Sequence, residues 1–101
     1  MGLHICIIHK ETHKEHPGWD FIRQWYDSGR SYKKGFDDLI MQTDCVDICD
    51  EYGETGLFRP DTKRLRALVL EKGWEQEAKE RYYHFCDLLD ADDNYGVYLS
   101  Y

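Results

Sequence analysis

The sequence predicts a single α+β domain in which the first and last strands pair in a small sheet of two or three strands, packed by about four helices. Both chain ends alternate in the manner of strands, and the segments between them carry helical periods. Of the 101 residues, 42% are hydrophobic and 15% aromatic, which indicates a packed globule. A chain of this length has room for one core, so residues 1–101 are expected to form one domain.

The first strand is predicted over Leu3–His9, a short segment rich in β-branched residues. Alternation places Leu3, Ile5 and Ile7 on one face and His4, Cys6 and Ile8 on the other. Because both faces carry apolar residues, we expect a central position in the sheet.

A short amphipathic helix is predicted after the polar loop formed by residues 10–16. Pro17 suits a first helical turn, where a missing N–H costs nothing. The apolar residues then recur at three- and four-residue steps, at Trp19, Phe21, Ile22, Trp25 and Tyr26, and Ser28-Gly29 ends the pattern.

The middle of the chain is ambiguous between helix and strand. Apolar residues from Phe36 to Glu51 follow a helical period, and a helix is favoured there. The rival is a strand at Cys45–Cys49, where Val46 and Ile48 alternate with Cys45, Asp47 and Cys49. Since two strands alone are marginally stable, a third strand is expected near residues 45–58, or pairing between two copies of the chain.

Two further helices and a closing strand complete the prediction. Residues 59–62 resemble a helix entry, and Gly73 suits the end of that helix. The longest helix is predicted over residues 75–89, followed by a turn at residues 92–94 and a strand over residues 97–101. The expected buried stripe of the long helix comprises Ala78, Tyr82, Phe85, Leu88 and Leu89.

The charge pattern favours a protein partner over nucleic acid. The formal charge is −7, which disfavours binding to phosphate backbones. No Lys or Arg stands between Gly35 and Phe58, and this stretch is either a solvated face or a surface for a basic partner, such as a nucleic-acid-binding protein. Its carboxylates, the predicted partner-binding residues, are Asp37, Asp38, Asp44, Asp47, Asp50, Glu51 and Glu54.

A metal site is the first alternative. His4, His9, His13 and His16, with Cys6 nearby, could bind a divalent transition metal such as zinc or nickel, although their spacing matches no closed structural site. A second grouping joins Cys45 and Cys49 with His84 and Cys86. On a helix, residues two apart point about 200° apart, so His84 and Cys86 are not expected to ligate the same ion. No other cofactor is expected.

The C-terminal acidic turn resembles the opening of an EF-hand loop. Asp90, Asp92 and Asn94 match positions one, three and five, but Tyr95 replaces the required glycine and Tyr101 the bidentate glutamate. The phosphate-binding, nucleophile-elbow and zinc-protease motifs are absent from the sequence, and no catalytic residues are predicted. A non-enzymatic binding protein is therefore the favoured interpretation.

The composition also bears on compartment and assembly. The sequence holds no run of about 18 apolar residues, and the apolar start is too short for a signal peptide. We expect a cytoplasmic protein that contacts no membrane and has reduced cysteines. A third interpretation is a structural or oligomeric module whose aromatic residues, such as Trp25, Trp74 and Tyr98, form a self-interface.

Several segments carry a resemblance to known sequences. They are the first five residues, Glu15-His16-Pro17-Gly18-Trp19-Asp20 with the three residues after it, Phe58-Arg59-Pro60, and the C-terminal segment Leu88-Leu89-Asp90-Ala91-Asp92 through Val97-Tyr98-Leu99-Ser100-Tyr101. In these segments the chain resembles a family of small bacterial and phage proteins to which no activity is assigned. The resemblance covers both ends and is looser in the middle. It implies a bacterial or phage setting, where small acidic proteins are often immunity proteins or inhibitors, and it transfers no catalytic residue.

Overall fold

Four strands form a single antiparallel sheet. The computed structural model describes residues 4–27, 38–53 and 55–100. The strands are β1 (His4–His9), β2 (Cys45–Cys49), β3 (Leu57–Pro60) and β4 (Tyr95–Ser100), in the order β1-β4-β3-β2. The predicted α+β class and the pairing of the first and last strands are confirmed, but the sheet has four strands instead of two or three.

Helices connect and cover these strands. A 3-10 turn at Pro17–Trp19 leads into α1 (Asp20–Asp27), and residues 38–41 are helical. Two longer helices follow β3, α2 (Thr62–Lys72) and α3 (Gln76–Ala91). Within the described residues, no helix is long and apolar enough to cross a bilayer.

The core lies between the sheet and the helices that follow its strands. The β1–β4 register sets Ile5 opposite Leu99 and Ile7 opposite Val97, and all four are buried. The predicted stripe of α3 joins the same cluster, with Leu88 only half-buried. Aromatic rings fasten α1 and the turn before it to α3, because Trp19 meets Phe85 at 6.3 Å and Trp25 meets Tyr82 at 6.2 Å between ring centroids.

The predicted central position of β1 is wrong, because β1 is an edge strand. Its second face is nevertheless buried, with Cys6 only 4% exposed and Ile8 3%. Cys6 lies opposite Tyr98, whose ring packs edge-on against Tyr52 at 4.8 Å. Residues from after β2, Tyr52 and Tyr98, thus lie on this second face of β1.

The helix favoured over Phe36–Glu51 is confirmed only for residues 38–41, and Phe36 lies outside the described residues. Cys45–Cys49 is a strand, so the favoured helix is wrong there and the rival interpretation is right. Thr43 Oγ1 donates to the Ile40 carbonyl at 2.9 Å just after the helical residues end. Strand β2 then finds its partner in β3, a contact that the local period of the sequence does not contain.

The predicted end of α2 at Gly73 is confirmed, whereas the helix entry predicted over residues 59–62 is right only for Asp61 and Thr62, because Arg59 and Pro60 belong to β3. The Asp61 carboxylate accepts the Arg64 backbone N–H at 3.1 Å, as an N-cap does. Gly73 has φ +63°, a left-handed conformation that suits glycine at a helix end. The longest helix begins one residue later than predicted and extends to Ala91, while Tyr101 of the predicted last strand lies outside the described residues.

The half-buried Arg59 side chain joins three elements. Its guanidinium donates to the carbonyls of Leu89 at 2.7 Å, Asp92 at 3.2 Å and Tyr95 at 2.7 Å. The register that pairs Phe58 with Val97 sets Pro60 opposite Tyr95. Because proline has no N–H to donate, the Arg59 guanidinium takes its place at the Tyr95 carbonyl.

We expect Arg59→Met to lower the free energy of unfolding by about 2–4 kcal/mol, because three carbonyls lose a charged donor. Arg66→Met is the matched control. Arg66 pairs with Asp87 and Asp90 at 2.8 Å, but on the surface, so its loss should cost less than about 1 kcal/mol. Urea unfolding of both variants measures the difference. Equal losses would contradict the role assigned to Arg59.

Candidate functional site

Strand β2 forms the open edge of the sheet opposite β1. Among the described strands it pairs only with β3, and a bulge between Asp47 and Cys49 interrupts the register. Its residues are the least buried of any strand, with Val46 65% exposed. A strand edge with exposed side chains is a template on which another chain can pair.

The backbone groups that face outward from β2 follow from its register. Asp61 N–H donates to the Asp44 carbonyl at 3.0 Å, which makes Asp44 and Asp61 a hydrogen-bonded pair. Successive residues of an antiparallel strand direct their backbone N–H and C=O groups alternately toward and away from the neighbouring strand. Cys45 and Asp47 therefore direct these groups away from β3. Pro60 opposite Cys45 agrees with this register, because that pair exchanges no hydrogen bond.

An open groove of about 460 Å³ runs beside this edge. Asp44, Val46 and Ile48 share one face of β2, since side chains alternate along a strand. Val46, Ile48 and Pro60 give the groove apolar walls, while Asp44 and Asp61 supply carboxylates. The full lining, called here the β2 groove, is Asp44, Val46, Ile48, Arg59, Pro60 and Asp61.

No described cation forms an ion pair with the carboxylates around β2. In the described part of the chain, none of the exposed carboxylates of the predicted binding stretch forms an ion pair. Arg59 lines the β2 groove, but its guanidinium is held by three carbonyls and lies 3.7 Å from Asp93. The exposed carboxylates that form no ion pair with a described residue are Asp38, Asp44, Asp47, Asp50 and Glu51.

The carboxylates of the acidic stretch, predicted to form one surface, lie on different faces and segments in the structure. Asp44 lines the β2 groove, whereas Asp47 points to the other face of the strand, and Asp50 and Glu51 follow in the turn. Asp37 and Glu54 lie outside the described residues.

Asp61 is a groove residue that the sequence did not identify. Residues 59–62 predict its place at a helix entry. Its backbone hydrogen bond to Asp44, however, depends on the register between β2 and β3. No local pattern carries that information.

His9 and His16 act as local hydrogen-bond acceptors. His9 Nδ1 accepts the N–H groups of Glu11 at 3.1 Å and Thr12 at 3.2 Å. His16 Nδ1 accepts Gly18 N–H at 2.9 Å and so caps the 3-10 turn. Tyr95 contacts both imidazoles, at 5.0 Å and 4.4 Å between ring centroids. These contacts fix the loop between β1 and α1.

The other metal candidates are dispersed. His13 packs against Tyr52, and the His4 side chain lies outside the described residues. Burial raises the pKa of Cys86 to about 12 and also raises that of Cys6, so neither thiol ionises readily. Among the described residues, no group of three His, Cys, Asp or Glu side chains is arranged to hold a metal ion.

The residues that resemble a calcium loop are engaged in local contacts. Asp90 accepts hydrogen bonds from Thr62 Oγ1 at 2.6 Å and Arg66 Nη2 at 2.8 Å. Burial opposes ionisation of Asp90, but these two donors hold the pKa of its carboxyl below the ordinary value. Asp92 Oδ1 accepts Asn94 N–H at 2.9 Å and closes the turn into β4.

No protein family, curated protein or solved structure matches the chain. The candidate site therefore depends on the geometry and charge of the β2 edge.

The His16 cap makes stability depend on pH. Burial is the largest influence on the pKa of His16 and lowers it, whereas the charge of Asp92 raises it and that of His84 lowers it. The pKa of His16 therefore lies below its ordinary value of about 6.5. The unfolded chain therefore binds a proton at His16 more readily than the folded protein does. The contribution of His16 to stability is present above about pH 6.5 and is lost as pH falls through the lowered folded-state pKa.

His16→Asn keeps a capping oxygen and removes the titration. We expect wild-type stability to fall more than that of the variant between about pH 7 and about pH 5, as measured by urea unfolding. Other titrating groups are common to both proteins and cancel in the comparison. Parallel losses across this range would show that His16 does not carry the effect.

Proposed function

We propose that the protein is a non-enzymatic binding protein that uses the β2 edge to engage a basic protein partner. The observation that supports this is a sheet edge beside an open groove, with five exposed carboxylates that form no ion pair with any described residue. Uncompensated charge of one sign accelerates association with the opposite sign and suppresses wrong partners.

A protein partner fits this surface better than nucleic acid. With a formal charge of −7, the chain repels a phosphate backbone. A protein groove that holds nucleic acid has the complementary positive charge. The proposal therefore extends to an immunity- or inhibitor-like role, in which the acidic edge occupies such a groove.

The β2 groove adds shape to this charge. Val46 and Ile48 offer apolar contact to the methylene stem of a Lys or Arg, while Asp44 and Asp61 can receive its charged head. This combination distinguishes the edge from a uniformly solvated acidic face, which has no apolar contact to offer.

We expect the combined variant D44N/D47N/D50N/E51Q to bind the basic partner at least about tenfold more weakly, because four carboxylates no longer attract it. The immobilised wild-type protein and the variant are exposed to host-cell extract at low and high salt. Captured basic proteins are then quantified by mass spectrometry, and the affinity of the main partner is measured after its purification.

The matched control E11Q/E71Q/E75Q/E80Q removes the same charge from exposed positions on other elements. It should retain wild-type binding, apart from a small general loss. If the β2 variant binds as tightly and with the same salt dependence as wild type, the acidic stretch is only a solvated face.

A further inference from the structure

We propose that the basic partner binds as an added β-strand along the outer side of β2, an inference that rests on the proposed function and specifies its geometry. Cys45 and Asp47 direct two N–H and two C=O groups outward, and in the described residues none of these groups is hydrogen-bonded to backbone. An extended segment can pair with all four groups at once.

The two edges of the sheet differ in a way that singles out β2. On the outer side of β1, His9 N–H donates to the Lys14 carbonyl at 2.9 Å, and His16 N–H donates to the Ile7 carbonyl at 2.8 Å. Residues 14–16 thus close part of that edge, and Ile8 forms a bridge with Glu15. No comparable segment among the described residues covers β2.

The side chains around β2 define the incoming strand. Every second residue of that strand stands on the face of Asp44, Val46 and Ile48. Lys or Arg at those positions lays its methylene stem along the apolar wall and brings its charge to Asp44 and Asp61. The intervening residues stand on the face of Asp47. The partner segment is therefore extended, with basic residues at alternate positions.

A second copy of this chain is a poor occupant of the same edge. Pairing β2 with another β2 would set Asp44, Asp47 and Asp50 of each chain against the same carboxylates of the other. Like charges directly across a strand pair are destabilising. The same carboxylates therefore disfavour pairing with a second copy of this chain and favour pairing with a basic strand.

The test uses the acetylated, amidated peptide Lys-Val-Lys-Val-Lys-Val-Lys as the probe. Its control is the same peptide with its three central amide nitrogens methylated, which preserves charge and side chains but removes the donors of a strand pair. Wild-type protein should bind the methylated peptide at least about tenfold more weakly than the parent peptide. Isothermal titration calorimetry measures both affinities. The parent peptide should also slow hydrogen exchange at Cys45 and Asp47, followed by NMR.

A change on the protein side gives an independent measurement. Cys45→Pro removes one outward N–H and no charge, and proline is tolerated at the first residue of an edge strand. Cys45→Val is its control, because it loses the same thiol but keeps the N–H. We expect the proline variant to bind the parent peptide several-fold more weakly than the valine variant.

The outcomes separate the binding mode from the proposed function. Equal affinity for the two peptides, with binding lost in D44N/D47N/D50N/E51Q, overturns the strand pairing and leaves the acidic surface as the binding site. Failure of wild-type protein to bind either peptide overturns both. Should Cys45→Pro fail to fold, the methylated peptide still decides the question.

Discussion

The guanidinium of Arg59 in β3 holds together the end of α3, the turn that follows it and the start of β4. It reaches the Leu89 carbonyl in the last turn of α3, the Asp92 carbonyl just after that helix, and the Tyr95 carbonyl at the start of β4. Carbonyls at a helix C-terminus lack partners within the helix and carry partial negative charge, so a planar cation with several donors suits them. Arg59 thereby fixes where α3 ends and β4 begins, and the position of β4 sets the position of β3.

The same part of the structure shapes the edge that β2 forms. Pro60 interrupts the ladder toward β4, and the bulge between Asp47 and Cys49 shortens the regular part of β2. Gly96 contributes from the neighbouring strand, because a Cβ there would lie 2.8 Å from Ile48 Cδ1 and 3.1 Å from Leu57 Cβ. Ile48 can therefore pack over β4 while Val46 stays exposed. The β2 groove results from a strand that is partly packed and partly open.

Charge has two roles at this edge. In the binding mode that we propose, the carboxylates around β2 disfavour pairing of this edge with a second copy of the chain. In the same mode they attract a strand of opposite charge, which packs against the apolar wall of the β2 groove. The histidines serve the opposite edge, where His16 caps a turn and residues 14–16 cover part of β1. The two edges thus differ: residues 14–16 cover part of the β1 edge, whereas carboxylates surround the β2 edge.

The sequence by itself determined the α+β class, the pairing of the first and last strands, the end of α2 at Gly73, and the buried stripe of α3. Each depends on residues close together in the chain, or on an alternation strong enough to be read locally. Only the tertiary structure decided that Cys45–Cys49 is a strand, that β1 lies at an edge, and that Asp44 meets Asp61. These features depend on which distant segment each strand pairs with, and the register of that pairing is set by contacts across the sheet.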